Sequence, residues 1–141
     1  MEIDFSFESP ACTIVLDEKV TEKWIIKIIE SEKKVPGNLS FFFCSDNYLL
    51  EINQKYLNHD TYTDIITFDY VEGNIISGDI LISIERVREN AKKFEVEFES
   101  ELSRVVSHGI LHLLGYKDKS PEEQATMREK EDFCLTLHPS F

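Results

Sequence analysis

The sequence predicts an α+β fold in which helices pack on one small mixed β-sheet. The chain of 141 residues contains no repeat, low-complexity run or linker that would divide it, so residues 1–141 are expected to form a single domain. Segments with alternating apolar residues, typical of strands, are interspersed with segments whose apolar residues recur every three or four positions, typical of helices. Their mixed order along the chain favours α+β.

The first third of the chain contains two predicted strands around one predicted helix. Ile3, Phe5 and Phe7 alternate with acidic or small residues and indicate the first strand. A helix capped by Asp17 follows, because apolar residues then recur at helical spacing: Val20, Trp24, Ile25, Ile28 and Ile29. The turn residues Pro36-Gly37-Asn38 are expected to end this helix, and LSFFFC (39–44) to form the second strand.

The middle of the chain predicts a helix followed by a hairpin. Residues 46–57 have the apolar spacing of a helix, and residues 64–70 and 75–83 resemble two strands. A tight turn is expected between the strands because Gly73 permits a positive φ. The two strands are therefore predicted to pair as a hairpin.

Three further helices are predicted after the hairpin. Ser83 is expected to cap a helix that runs to about residue 94, and Ser100 to cap a second helix that stops before Gly115. The segment SPEE (120–123) has the form of a capping box with proline at the first helical position, so a last helix begins there and runs to about residue 137.

The composition indicates a cytoplasmic protein without membrane association. Apolar residues make up 42% and charged residues 30% of the chain, which is ordinary for a soluble domain. No apolar run approaches the ~20 residues that span a bilayer. The start, MEIDFSFESP, lacks the basic and apolar parts of a signal peptide, and the three cysteines form no CxxC pair.

The net charge of −12 argues against a protein that coats nucleic acid by bulk electrostatics, because phosphate binding depends on clustered Lys and Arg. A role with RNA must therefore be local. A bound divalent cation and a few basic side chains could supply that local attraction.

Two histidines in the segment SHGILHLLGYKDKS (107–120) indicate a metal site. His108 and His112 are four residues apart, so their imidazoles lie on one helical face and can reach one ion. Gly115 lets the chain reverse after the helix, and Asp118 could then return as a third ligand that leaves one zinc position for water. The alternative is a pair of histidines satisfied by hydrogen bonds on a half-buried helix.

The spacing HxxxHxxGxxD is related to the long zinc-peptidase motif and predicts a zincin-like metal-binding helix. Gly109 occupies the position of the catalytic glutamate in that motif, so the usual peptidase base is missing. A metal site without this base suggests a different hydrolysis, and phosphodiesters are a suitable substrate class.

Several segments together resemble the YbeY family of zinc-dependent endoribonucleases that mature ribosomal RNA. HGILHLLGY (108–116) is similar to the family's histidine signature, TDIITF (63–68) to its TD strand and SGDILIS (77–83) to its GDI strand. Met127-Arg128-Glu129 with Glu131 resembles its closing helix. The resemblance covers about residues 45 to 134 in family order.

Two features depart from the family pattern, and in the first of them Lys117 also replaces an aspartate of the family. Asp118 stands where the family has its third histidine, with Lys117 before it, and a carboxylate can replace imidazole as a zinc ligand. Tyr56 is followed by Leu57 where the family has an arginine that is usually given a catalytic or phosphate-holding role. His59, Lys117 and Lys119 could supply the missing cation, although each could equally be a solvated loop residue.

Other residues near these motifs have two possible roles each. Asp64 and Asp79 either cap loops or orient a metal-bound histidine, and the structural role is favoured for both. Tyr62, Phe68 and Tyr70 could stack on unpaired bases, although core packing explains Phe68 equally well.

The resemblance implies a zinc-dependent endoribonuclease that trims the 3′ end of small-subunit ribosomal RNA, with one zinc per chain. The expected substrate is single-stranded precursor RNA, and the expected docking partner is a ribosomal protein or an assembly GTPase. Zinc would activate a water for attack on phosphorus. The alternatives are a metal-stabilised ribosome-assembly factor with little nuclease activity, and a zinc peptidase with an unrecognised base.

Overall fold

The computed structural model describes residues 1–58 and 62–139, and these contain one four-stranded sheet. The strands are β1 (Glu2–Phe7), β2 (Val35–Cys44), β3 (Ile65–Asp69) and β4 (Ile75–Ser83), in the spatial order β1-β2-β4-β3. β2 runs parallel to both β1 and β4, whereas β3 is antiparallel to β4. The mixed sheet and the β3–β4 hairpin are therefore confirmed.

Five α-helices occur in the described ranges, and they surround this sheet. They are α1 (Glu18–Ser31), α2 (Asp46–Leu57), α3 (Ile84–Lys93), α4 (Phe98–Leu113) and α5 (Pro121–Thr136). A single 3₁₀ turn, Pro10–Cys12, lies between β1 and α1. None of the described helices combines the length and the apolar character needed to cross a membrane.

Most helix starts follow local signals in the sequence. The Asp17 carboxylate accepts the Val20 N–H at 3.1 Å, the Ser83 hydroxyl accepts the Arg86 N–H at 3.1 Å, and Ser120 forms the expected capping box with Glu123. The prediction of Ser100 as a cap is wrong. Helix α4 begins at Phe98, so Ser100 lies inside its first turn, and the N-cap residue Glu97 makes no capping hydrogen bond through its side chain.

The turn predicted at Pro36-Gly37-Asn38 is also wrong, because these residues belong to β2. The Val35 N–H donates to the Asn74 carbonyl at 2.8 Å, which starts the strand four residues earlier than expected. The pairing with β4 is irregular between Pro36 and Leu39. At Gly37 an added Cβ would lie 2.1 Å from Ser77 Oγ, so the close approach of the two strands needs glycine there.

The two faces of the sheet carry separate apolar clusters. Alternate side chains of β2 and β4, such as Phe41 and Ile80, are fully buried with α1 and α4. The intervening side chains, such as Phe42 and Leu81, pack on the other face with Leu49 of α2. This arrangement confirms the α+β fold with helices packed on a small sheet.

Helix α4 is central to the fold, because it contacts the sheet as well as α1, α3 and α5. Its apolar side, which includes Ile110 and Leu111, is buried. Gly109 faces the sheet, and an added Cβ there would lie 2.8 Å from Ile65 Cδ1 and 3.1 Å from Ile80 Cγ2. The helix is thus held close to the sheet, and another of its faces carries the polar residues described next.

Candidate metal centre

His108 and His112 occupy successive turns of α4 and converge with Asp118 on one point. The two Nε2 atoms are 2.9 Å apart, and Asp118 Oδ2 lies 3.1 Å from His108 Nε2 and 3.2 Å from His112 Nε2. Their side chains are 22%, 28% and 37% exposed, so one side of the cluster faces solvent. The three predicted ligands are therefore brought together.

The end of α4 explains how Asp118 reaches the histidines. Gly115 adopts φ 101°, its N–H donates to the His112 carbonyl at 3.0 Å, and the Tyr116 N–H donates to the Leu111 carbonyl at 3.0 Å. This pair of hydrogen bonds is a Schellman motif, which reverses the chain after a helix. Three residues later the chain has turned far enough to place Asp118 beside His108.

A second carboxylate fixes the orientation of His108. An ionised carboxylate can only accept, so the contact of 2.7 Å between His108 Nδ1 and Glu131 Oε2 places a hydrogen on Nδ1. Glu131 is buried, and its other oxygen accepts from Arg104 Nη1 at 3.0 Å. The neutral form of His108 therefore presents the lone pair of Nε2 to the cluster.

The donor set suits a divalent metal ion. Two imidazole nitrogens and a carboxylate oxygen are zinc ligands, and ligands at the ~2.0–2.1 Å zinc bond length lie about 3.3 Å apart in a tetrahedron. The observed separations of 2.9, 3.1 and 3.2 Å are close to that spacing. Among the described residues this is the one group of three such side chains that could hold an ion.

The electrostatics of His108 favour a positive charge at the cluster. Burial by itself lowers the pKa of His108, but the hydrogen bond to Glu131 and the negative charges of Glu131 and Asp118 outweigh it, so the pKa is raised. A metal cation that binds here takes the place of that proton. Binding should therefore release protons.

A cavity of about 280 Å³ lies beside the cluster. Residues of α4, α5 and the neighbouring loops line it: Asp64, Phe94, Glu101, Arg104, Val105, His108, Asp118, Arg128 and Glu131. Burial raises the pKa of Asp64, and the positive charge of nearby His108 offsets part of this rise. The pKa of Glu101 is also raised, mainly by burial and then by the negative charge of Asp64. The cavity thus combines two of the candidate ligands, His108 and Asp118, with carboxylates that resist ionisation.

Asp64 and Asp79, for which the sequence predicts the same alternatives, lie in different places in the structure. Asp64 lines the cavity with His108, and its carbonyl accepts the Ser83 N–H at 2.9 Å. Asp79 pairs with Phe68 in the β3–β4 register, on the face of the sheet that packs on α2. The charge of Asp79 raises the pKa of Tyr70, whose hydroxyl donates to it.

The remaining sequence candidates are the possible cations and Leu57, the position of the missing arginine. Lys117 and Lys119 are exposed on either side of Asp118, and neither lines the cavity. Leu57 ends α2 and is 42% exposed. His59 lies outside the described residues.

The aromatic candidates for base stacking make other contacts. Phe68 packs in the α2-side cluster and meets the Tyr56 ring edge-on at 6.2 Å between centroids. Tyr62 is exposed, and the Arg86 guanidinium lies 5.3 Å from its ring centroid. None of these rings lines the cavity beside His108.

Sequence reasoning assigned no role to Arg104 and treated Glu131 only as part of a motif. A signal was present for Arg104, because Arg104, His108 and His112 recur every four residues and share one face of α4. The position of Glu131 depends on how α5 docks against α4, and local spacing does not encode it.

The fold and the donor set define a small α+β protein with a candidate metal centre on its central helix. Residues 6–138 match the family model described as Endoribonuclease YbeY. The chain is 54% identical to Endoribonuclease YbeY of Flavobacterium psychrophilum, over 96% of this chain and 91% of that protein. It is 53% identical to that of Flavobacterium johnsoniae, over 96% of both.

A solved structure agrees with these sequence matches. The solution structure of a Thermotoga maritima protein superposes with a TM-score of 0.66 at 29% identity, over 96% of this chain and 87% of that one. The chain belongs to the YbeY family. The resemblance seen in the sequence motifs is confirmed.

Proposed function

We propose that the protein is a zinc-dependent endoribonuclease that cuts single-stranded RNA during ribosomal RNA maturation. The observation that carries this proposal is the convergence of His108, His112 and Asp118 beside a solvent-accessible cavity. Relatives more than half identical in sequence are named endoribonucleases. One zinc per chain is expected because the described residues offer one such cluster.

The chain's own residues prepare the site for hydrolysis of a phosphodiester. A zinc ion held by the cluster would lower the pKa of a water towards ~7 and polarise a phosphoryl oxygen. Glu131 holds the Nδ1 hydrogen of His108, and Arg104 holds Glu131, so the imidazole keeps one orientation. Asp64 lines the cavity, and its raised pKa makes it a suitable group to exchange a proton there. Lys117 and His59 stay proposed cations for the phosphate.

Replacing Glu131 with glutamine is expected to weaken zinc affinity by about 10- to 100-fold, the usual cost of losing a group that orients a metal ligand. Glutamine keeps an acceptor oxygen but loses the charge that stabilises the His108 N–H and Arg104. Competition with a chromophoric chelator measures the affinity. Glu129→Gln, at an exposed position of the same helix, is the matched control, and equal affinities in the two variants would remove Glu131 from this role.

The position of Gly109 argues against the peptidase alternative. A catalytic glutamate at this position would need space on the cavity side of α4, whereas Gly109 faces Ile65 and Ile80 of the sheet. Glycine at position 109 has no carboxylate, and the sheet residues that Gly109 faces leave no room for one. Both observations argue against the usual peptidase base.

The acidic surface suggests that a partner brings the RNA to the site. A chain with net charge −12 attracts free RNA weakly, and docking on a ribosomal protein or an assembly GTPase would raise the effective concentration of the precursor. The proposal includes a cytoplasmic location, which the three free cysteines favour because disulfides are rare in that compartment.

A strain lacking the protein is expected to accumulate small-subunit ribosomal RNA with unprocessed 3′ ends. Mapping the RNA ends in that strain, and after complementation with wild type or His112→Ala, tests the role and the chemistry separately. Normal ends in the deletion strain would refute the ribosomal role. Complete rescue by His112→Ala would instead support an assembly factor that acts without cleavage.

A further inference from the structure

The cavity beside the metal cluster has two walls that the chemistry at His108 does not use. Its floor is one face of α4, from Glu101 to His108. Arg128 of α5 and Phe94 at the end of α3 also line it, and they come from helices that pack separately on α4. A ligand that reaches the cluster through this cavity therefore meets a cation and an aromatic ring.

The two arginines of the cavity differ in their partners. Arg104 is fully engaged, since it pairs with Glu131 and Asp132 at 3.0 Å each. Arg128 makes no hydrogen bond or ion pair with any residue in the described ranges 1–58 and 62–139. Its charge acts on Glu101. Burial raises the pKa of Glu101, and the positive charges of Arg104 and Arg128 lower it in part. Arg128 is thus the cation of this cavity that is available to an anion.

Phe94 places an aromatic ring at the cavity. It is 55% exposed although it caps α3, where its N–H donates to the Asn90 carbonyl at 2.9 Å. The backbone is therefore fixed while the ring remains accessible. Lys93 Nζ lies 5.7 Å from the ring centroid and adds positive charge near the ring.

We propose that Arg128 and Phe94 form a subsite for one unpaired nucleotide next to the bond that is cut. The Arg128 guanidinium binds a backbone phosphate, and the base stacks on Phe94, as aromatic side chains do in proteins that bind single-stranded RNA. The cavity volume of about 280 Å³ suits one small ligand group rather than a duplex. This subsite rests on the proposed function, because it positions RNA for the same metal centre.

Binding of a fluorescent single-stranded RNA hexanucleotide, measured by anisotropy in the cold before cleavage depletes it, tests each residue. Phe94→Ala is expected to raise Kd by at least about fivefold, and Phe94→Trp to retain binding. Arg128→Ala is expected to raise Kd similarly. Arg128→Lys is expected to recover part of the lost affinity, because lysine keeps the positive charge but lacks the planar guanidinium that donates two parallel hydrogen bonds to a phosphate. Lys27→Ala, which removes an exposed charge on α1, is the matched control.

The salt dependence distinguishes a phosphate contact from a structural effect. The slope of log K against log salt is expected to become shallower by about 0.7 in Arg128→Ala, the change for one phosphate contact on a single strand, and to stay unchanged in Phe94→Ala. Both side chains are exposed or half-exposed at the cavity, so thermal melting should show folded variants.

The outcomes separate the subsite from the proposed function. If both alanine variants bind RNA more weakly with the expected salt slopes, but the wild type does not cut RNA, the subsite is supported and the nuclease is rejected. A wild type that binds and cuts RNA, with both alanine variants binding like Lys27→Ala, would overturn the subsite and keep the nuclease. Absence of RNA binding by the wild type would overturn the subsite, and its cleavage assay would then decide the function alone.

Discussion

His112→Ala is expected to lose its bound metal and to cut single-stranded RNA at close to the uncatalysed rate. The substitution removes one of three converging candidate ligands and leaves His108 and Asp118, and two ligands are too few to hold zinc in a hydrolytic site. Removal of a group that merely orients a ligand costs about 10- to 100-fold in metal affinity or activity, so loss of a ligand should exceed that range.

Metal content by mass spectrometry and cleavage of a labelled RNA measure the two effects on the same preparation. His138→Ala is the matched control, because His138 packs edge-on against Trp24 at 4.8 Å between ring centroids, away from the cluster. Wild-type metal content in His112→Ala would remove His112 from the ligand set. Loss of metal with unchanged cleavage would show that the nuclease does not depend on metal.

Residues whose environment is set by near neighbours in the chain could be predicted from the sequence. The caps at Asp17 and Ser120 and the pairing of His108 with His112 depend on side chains three or four positions apart. Asp118 also belongs to this group, because the turn at Gly115 is a local structure.

The wrong predictions of secondary structure concern residues whose structure depends on contacts between distant segments. Pro36 resembles a turn residue, yet β4 pairs with the backbone around it and extends the strand. Ser100 is a good capping residue, but α4 begins earlier, at Phe98. Local propensity is weaker than tertiary packing in both places.

The same distinction applies within the candidate site. The candidate ligands lie within eleven residues of one another, whereas Glu131, Arg128 and Phe94 reach the cavity only after α5 and α3 have packed on α4. Asp79 also depends on the sheet, since alternation along β4 places it on the face opposite the histidines once the register is known. Motif spacing therefore predicted the candidate ligands but not the cavity beside them.

The fold predicts a second large effect at Gly109, where glutamate would restore the zinc-peptidase pattern HExxH. Gly109→Glu is expected to lower the melting temperature by more than about 10 °C and to create no peptidase activity. An added Cβ would already lie 2.8 Å from Ile65 Cδ1, and Ile80 behind it is fully buried. Overpacking of a core costs about 1–3 kcal/mol, and a buried carboxylate without a partner costs several more. Such a sum is a large share of the ~5–15 kcal/mol that stabilises a domain.

Gly109→Ala separates the effect of size from the effect of charge. Alanine gains about 1 kcal/mol in helix propensity over glycine, which offsets part of the cost of the close contact with the flexible end of Ile65. Thermal melting by circular dichroism should therefore show a small shift for alanine and a large one for glutamate. If Gly109→Glu melted at the wild-type temperature, its carboxylate would have to reach solvent or the cavity, and the packing of α4 against the sheet would no longer exclude a peptidase base. A large shift with glutamate alone would show that the fold itself, as well as the residue type, separates this site from the zinc peptidases.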